Sequence, residues 1–215
     1  MSRDYSATSV SYAAASSAKK GVELPLQKPR VRDRIMQTAR ELFYRHGIRA
    51  VGVDTIACEA GTNKMSFYRC FASKDELVAE YLRGQEREAW QWWEATIDSL
   101  SGNARAQVGS LFDAQARETC KLDSRGCAFA NAAVEISDET HPARAVVVEF
   151  KAEMRRRFRM LARDMGAREP DALGDSLMLL WEGSYVTRLT CQTDKGPAQH
   201  APKAARALMS AYLPE

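Results

Sequence analysis

The chain has 215 residues, of which 45% are hydrophobic and 27% charged, with a net charge of only +3. This is the composition of an ordinary folded protein, with room for one large domain or a small domain beside a larger one. No apolar run approaches the roughly 20 residues of a membrane helix, and the first residues lack the hydrophobic core of a secretory signal. The five cysteines include no Cys-x-x-Cys pair, which fits reduced thiols in a cytoplasm.

The three histidines, at 46, 141 and 200, have no zinc-ligand spacing, so neither metal nor cofactor is expected. Charge is unevenly spread. Residues 1–75 hold 13 Lys/Arg against 7 Asp/Glu, and the remainder 18 against 21. A basic first third fits a nucleic-acid reader joined to a domain with another task.

Residues 1–29 contain six Ser and five Ala and end in Pro25 and Pro29. They bury too little apolar area to offset their ordering entropy, so a flexible tail is expected. The sharper alternative is an arm whose Lys19, Lys20 and Lys28 attract phosphate. Residues 30–46 predict a helix with Ile35, Ala39, Leu42, Phe43 and His46 on its inner face and Gly47 as its stop. Arg30, Arg32, Arg34 and Arg40 lie elsewhere around it, either as a solvated face or as phosphate contacts.

A second short helix starts near Val53, carries Ile56 and Ala57, and ends at Gly61. Asn63 is a good N-cap for a third helix, Lys64–Phe71. Ser73 and Glu76 have capping-box spacing and open a fourth, running to about residue 100. Helix, glycine turn, helix is the layout of a helix-turn-helix, although a generic αα-hairpin has the same spacing. Phe67 and Phe71 should pack inward, which turns Lys64, Met65, Ser66 and Arg69 outward. Lys64 suits guanine O6 or N7 and Ser66 almost any base edge; Met65 either touches a thymine methyl or limits the approach.

The far half of the fourth helix carries Trp90, Trp92 and Trp93, which no single face can bury. Trp93 and Ile97 read as core, or else as an aromatic pocket wall. After a break at Gly102-Asn103, residues 104–121 predict a helix with Val108, Leu111, Phe112 and Gln115 on one face. Residues 124–144 read as a short helix of small residues, closed by Asp138 and His141-Pro142. Asn131 within it must find a hydrogen-bond partner, either backbone or a ligand. Cys127 reads as packing, or as a reactive thiol were Arg125 to lower its pKa. Residues 143–165 form a helix with Val147, Phe150, Met154, Phe158 and Leu161 inward and Arg155-Arg156-Arg157 as a solvated face. Pro170 opens another to about residue 192, with Leu173, Leu177, Leu180, Trp181 and Ser184 on one side. The last helix carries Ala204, Ala205, Leu208, Met209 and Tyr212.

The residues Ile56-Ala57, Ala60-Gly61, Tyr68, Phe71 and Lys74, with Leu77 beyond, resemble the N-terminal signature of the tetracycline-repressor (TetR) family over about residues 32–78. Gly126-Cys127, Asn131 and Glu135 also resemble a segment found in a subset of that family. The resemblance implies an all-α protein with an N-terminal three-helix helix-turn-helix domain at 30–76 and a larger C-terminal ligand-binding and dimerisation domain at 77–215. It implies a repressor that binds a palindromic double-stranded operator as a homodimer, through about residues 170–192 and 198–213, and is released by a small-molecule inducer. The DNA-binding residues are then Thr55, Asn63, Lys64, Met65, Ser66, Tyr68, Arg69 and Lys74, with Tyr68 and Lys74 at phosphate-holding positions. Tyr68 is alternatively a core aromatic. Gly52 stands where the family usually has Ser or Thr, which leaves Thr55 as the phosphate candidate of its helix. Trp93, Phe112, Asn131, Trp181 and Tyr185 are the expected ligand lining. Other readings are a helical interaction module without sequence-specific DNA binding, a thiol-based redox or electrophile sensor, and an enzyme built on Glu182, Asp138 and His141. The last has no nucleophile elbow, phosphate loop or metal-ligand pair behind it, and no catalytic residue is expected.

Overall fold

The computed structural model describes residues 29–121, 124–191 and 196–214; all but the last residue of the expected tail lies outside them. The described residues form α1 Val31–His46, α2 Val53–Glu59, α3 Lys64–Cys70, α4 Lys74–Ile97, α5 Ala104–Thr119, α6 Ala128–Glu135, α7 Pro142–Asp164, α8 Pro170–Cys191 and α9 Ala201–Tyr212. Single 3₁₀ turns at 98–100 and 197–200 complete them. The chain is all-α, with a small N-terminal helical head and a larger helical body.

The head, α1 to α3, closes around Ile35, Ala39, Leu42, Phe43, Ile56 and Phe67, all buried. Its turns follow from local chemistry. Gly61 has φ of 62°, a left-handed conformation that only glycine enters cheaply, and it carries the chain out of α2. Asn63 then caps α3 by accepting from the Ser66 N–H at 2.9 Å. Ser73 caps α4 by accepting from the Glu76 N–H at 3.0 Å, while Glu76 accepts from the Ala72 N–H at 2.7 Å. The expected placement of His46 on the inner face of α1 is corrected: it is exposed. It sits in the last turn, where a basic side chain meets the negative end of the helix dipole in solvent.

α4 is roughly 36 Å long at 1.5 Å per residue. Its first turns bury Leu77, Val78, Tyr81 and Leu82, and its far half buries Trp93. Trp90 and Trp92 are only half-buried, as one helix face requires. In the body, α7 and α8 cross closely at Gly174, where an added Cβ would stand 2.6 Å from the Arg159 Cα. Arg155 and Arg159 both fork onto Asp175, with N–O distances of 2.7–2.8 Å, and hold its carboxyl well below the usual carboxylate range. Of the run Arg155-Arg156-Arg157, expected as a solvated face, the first two are exposed, and the expectation is corrected for Arg157. Arg157 pairs with Glu94 of α4 and lies 4.1 Å from the Trp90 ring centroid, so it ties α7 to α4. Long guanidinium side chains reach across helices whose backbones the sequence spacing treats as separate.

Gly174→Ala therefore forces the α7 and α8 backbones apart and should cost about 1–3 kcal/mol. Gly109→Ala, where nothing lies within 4 Å of the new Cβ, should instead raise stability by about 0.4–1 kcal/mol. Thermal denaturation of the two variants checks both signs.

Candidate functional site

Phe67 is fully buried, and it sets the rotation of α3. With that ring inside, Lys64, Met65, Tyr68 and Arg69 are turned to solvent; Met65 is 70% and Tyr68 49% exposed. The exposure of Tyr68 disfavours the alternative of a core aromatic, although its ring stays edge-on to Phe67 at 5.3 Å. Ser66 is half-buried, and its N–H is taken by the Asn63 cap. Thr55 is exposed on α2 beside Asp54. The Lys64 ammonium pairs with the Asp54 carboxylate at 3.1 Å, both side chains being largely solvent-exposed. Thr55, Asn63, Lys64, Met65, Tyr68 and Arg69 thus lie on a solvent-facing surface of the head.

Lys74 is differently placed. Its Nζ donates to the Ile48 carbonyl at 2.6 Å, and burial pushes its pKa below the ordinary lysine value. The side chain expected to hold phosphate is engaged on the turn between α1 and α2. Of the early arginines, Arg32, Arg34 and Arg40 are also occupied within the protein. Arg34 donates to the Ala60 carbonyl at 3.0 Å and so clamps the turn between α2 and α3. Arg32 pairs with Glu80, and Arg40 with Glu88. No periodicity marks Arg34 or Lys74 as clamps, because their partners are backbone carbonyls exposed only once the turns have formed.

A second constellation joins head and body. The Glu135 carboxylate, at the end of α6, accepts from the Arg49 N–H at 2.9 Å. The same carboxylate lies against Gly47, whose φ of 87° and lack of a Cβ make the approach possible. The Arg125 guanidinium donates to the Arg45 carbonyl at 2.6 Å, capping the end of α1, and its backbone N–H donates to the Tyr44 hydroxyl at 2.8 Å. His141 Nε2 stands 3.2 Å from Asp75, at the start of α4. The segment containing α6 therefore grips the head at the end of α1 and the beginning of α4. A small niche lies along this seam, lined by Phe43, Tyr44, Ile48, Tyr81, Asn131 and Glu135 among others.

Of the five expected ligand-lining residues, the structure gathers four. Trp181 is surrounded by Phe112 at 5.3 Å, Trp93 at 6.0 Å and Tyr185 at 6.3 Å, with Phe158 and Trp92 completing the cluster. Asn131 belongs to the niche instead, and its amide donates to the Arg125 carbonyl at 2.9 Å. Sequence spacing could not separate the two places, since α6 is too short to reveal which neighbour each face meets. The cation beside Cys127 is Lys151, at 3.3 Å from the sulfur, and not Arg125. Lys151 is shared with Glu182 at 2.6 Å. Asp138 bonds Thr140 and His141 faces Asp75, so the three residues of the enzyme reading have separate partners. Among the described residues, no group of three His, Cys, Asp or Glu is placed to hold a metal, and no helix is long and apolar enough to cross a membrane.

Comparison with known proteins gives a consistent picture. Residues 35–81 match the model of the tetR family of bacterial regulatory proteins. The HTH-type transcriptional repressor DhaR of Mycobacterium sp. (strain GP1) is 24% identical over 177 residues, covering 78% of this chain and 86% of that protein. A TetR-family transcriptional regulator from Streptomyces coelicolor superposes with a TM-score of 0.75 at 26% identity, over 85% of this chain and 87% of that one. A putative regulator of the same family from Streptomyces avermitilis gives 0.73 at 26% identity, over 86% and 98%.

The Lys64–Asp54 pair has a consequence at this surface. A carboxylate beside the α3 cations opposes a polyanion and holds Lys64 back. Asp54→Asn should tighten binding to random-sequence duplex roughly threefold at about 0.1 M salt. Fluorescence anisotropy reads this, and unchanged or weaker binding would place Asp54 away from the duplex.

Proposed function

We propose that the chain, whose residues 35–81 match the tetR family of bacterial regulatory proteins, represses transcription from a palindromic operator as a homodimer and releases the DNA when a small molecule enters its body. The observation that carries the reading is the outward presentation of Lys64, Met65, Tyr68 and Arg69 by a helix whose rotation the buried Phe67 fixes. α3 enters the major groove. Lys64 leaves Asp54 to donate to guanine, Met65 meets a thymine methyl, and Ser66 serves the nearby base edges. Tyr68, Arg69, Thr55 and Asn63 position the helix on phosphate and sugar. Lys74 contributes in a second way, by bracing the turn that presents α2.

Two heads must lie about 34–36 Å apart to read two half-sites, one helical turn of DNA. The partner face is α8 with α9. Leu179 and Val186, seven residues apart on one face of α8, are 73% and 52% exposed. Gly183 lies between them with nothing within 4 Å of an added Cβ. α9 adds the small exposed residues Ala207, Ser210 and Ala211. Such a surface supports close helix-to-helix approach between copies.

Release is a population shift. An effector in the aromatic body favours one arrangement of α4 and α6 over the other, and it moves the equilibrium only by its difference in affinity for the two. The contacts of Arg125, Glu135 and His141 with the head transmit that preference to the spacing of the two reading helices. The protein acts where chromosomal DNA is, in the cytoplasm.

Lys64→Ala combined with Tyr68→Phe should weaken binding to the promoter fragment beside the protein's own gene by at least about thirtyfold, since each lost contact is worth roughly 1 kcal/mol or more. Helical circular dichroism should not change. Undiminished binding in a gel-shift titration would overturn the assignment of the reading helix. Leu179→Glu with Val186→Glu should give monomers by sedimentation velocity and lose operator binding together with dimerisation.

A further inference from the structure

Among the described residues, the buried polar side chains are Gln115, Thr119, Ser184 and Arg188, and all four lie on α5 and α8. They form a polar seam beside the rings around Trp181. Most of the seam is internally satisfied. Gln115 donates its amide N–H to the Trp181 carbonyl at 3.0 Å, and Ser184 donates to the same carbonyl at 2.7 Å. Thr119 donates to the Gln115 carbonyl at 3.0 Å, and Arg188 to the Lys121 carbonyl at 3.0 Å. The Gln115 side-chain oxygen is different. Gln115 is 1% exposed, and its Oε1 has no hydrogen-bond partner. Exchanging the amide O and N would set an acceptor against the Trp181 carbonyl, so the nitrogen is the committed atom and the oxygen the uncommitted one. A buried acceptor left in this state is destabilising, because it has lost its hydrogen bonds to water and gained none. An apolar side chain of similar shape would be cheaper here unless the acceptor is used.

We propose that the Gln115 Oε1 atom is the polar recognition point for the effector within the aromatic body, and that the effector is a neutral, largely aromatic molecule carrying an O–H or N–H donor, of the phenol or indole class. The proposal rests on the regulator reading above and adds to it the chemistry of the ligand. Its three parts come from the site. The free atom is an acceptor, so the ligand must donate. The surroundings are aromatic faces and edges, with Trp92, Trp93, Phe112 and Tyr185 about Trp181, which favour a flat ring packed at centroid distances of 4.5–7 Å. The nearby carboxylates are paired, Glu182 with Lys151 and Asp113 with Arg206, which leaves a cationic ligand without a countercharge there. Trp92 and Tyr185 are half-buried, the least buried members of the aromatic cluster, and a ligand entering the cluster displaces them first. Trp92 belongs to α4, so the displacement acts directly on the helix that supports the head.

The test uses p-cresol and 4-methylanisole, which share shape and differ in the donor. Isothermal titration calorimetry on the full chain should give p-cresol a dissociation constant at least about tenfold below that of 4-methylanisole, as one buried hydrogen bond implies. In Gln115→Met the two constants should come within about twofold of each other. Equal affinities in the unsubstituted protein, or binding of neither compound up to its solubility limit, would overturn the proposal; the first result means that water suffices at Gln115. A preference for p-cresol that survives in Gln115→Met places the acceptor elsewhere and also overturns it. The comparison in the unsubstituted protein decides the matter even where the variant does not fold. Gel-shift binding of the same preparation to its promoter fragment tests the regulator reading separately, so failure of one is not mistaken for failure of the other.

Discussion

The structure depends on α4 being a single uninterrupted helix with two cores built on it. At one end Leu77, Val78, Tyr81 and Leu82 complete the interior of the head; at the other, Trp93 sits in the aromatic cluster of the body. A buried side chain at each end means that the helix cannot rotate in one core without disturbing the other. Close-packed interiors deform in steps rather than continuously, so a shift in the body arrives at the head as a displacement of the whole helix. The pair Arg157–Glu94 and the stack of Arg157 on Trp90 fasten the far half of α4 to α7.

A second route runs through α6. Its eight residues are rich in alanine and low in side-chain bulk, yet its flanks supply the groups that contact the head. Arg125 satisfies a backbone carbonyl at the end of α1, where four carbonyls lack partners within the helix itself, and Glu135 satisfies the Arg49 N–H in the turn that follows. A terminus capped by another domain is a coupling by hydrogen bond and not by bulk. It is directional, and a small translation of α6 breaks it. Asn131 and its niche lie on this seam, whereas the aromatic cluster lies beyond it between α4, α5, α7 and α8. The aromatic cluster and the contacts with the head thus occupy separate places in the body.

The head shows how charge can be assigned wrongly from spacing alone. Arg32, Arg34, Arg40 and Lys74 make the first third basic, but each engages a carboxylate or carbonyl of the protein. The cations turned to solvent on α3 are fewer, Lys64 and Arg69. Basic composition marked the right third of the chain while naming too many residues within it, because a long cationic side chain serves a turn carbonyl as readily as a phosphate.

What the sequence determined by itself was everything governed by neighbours within a turn or two. The glycine stop at Gly61, the caps at Asn63 and Ser73, the inward Phe67 and the extent of the long helices all follow from local backbone chemistry and a 3.6-residue period. Those rules suffice to lay out the helix-turn-helix, and family resemblance added its purpose. Only the tertiary structure decided which of several possible partners each long or polar side chain took. It separated Asn131 from the aromatic residues, gave Cys127 Lys151 as its neighbour, sent His46 to solvent, set the Gln115 amide nitrogen on the Trp181 carbonyl and left its oxygen unpaired. Such contacts join residues far apart in the chain, Glu135 and Arg49 being 86 positions from each other. They depend on how helices cross, and crossing is set by the summed packing of many side chains, which no local pattern encodes.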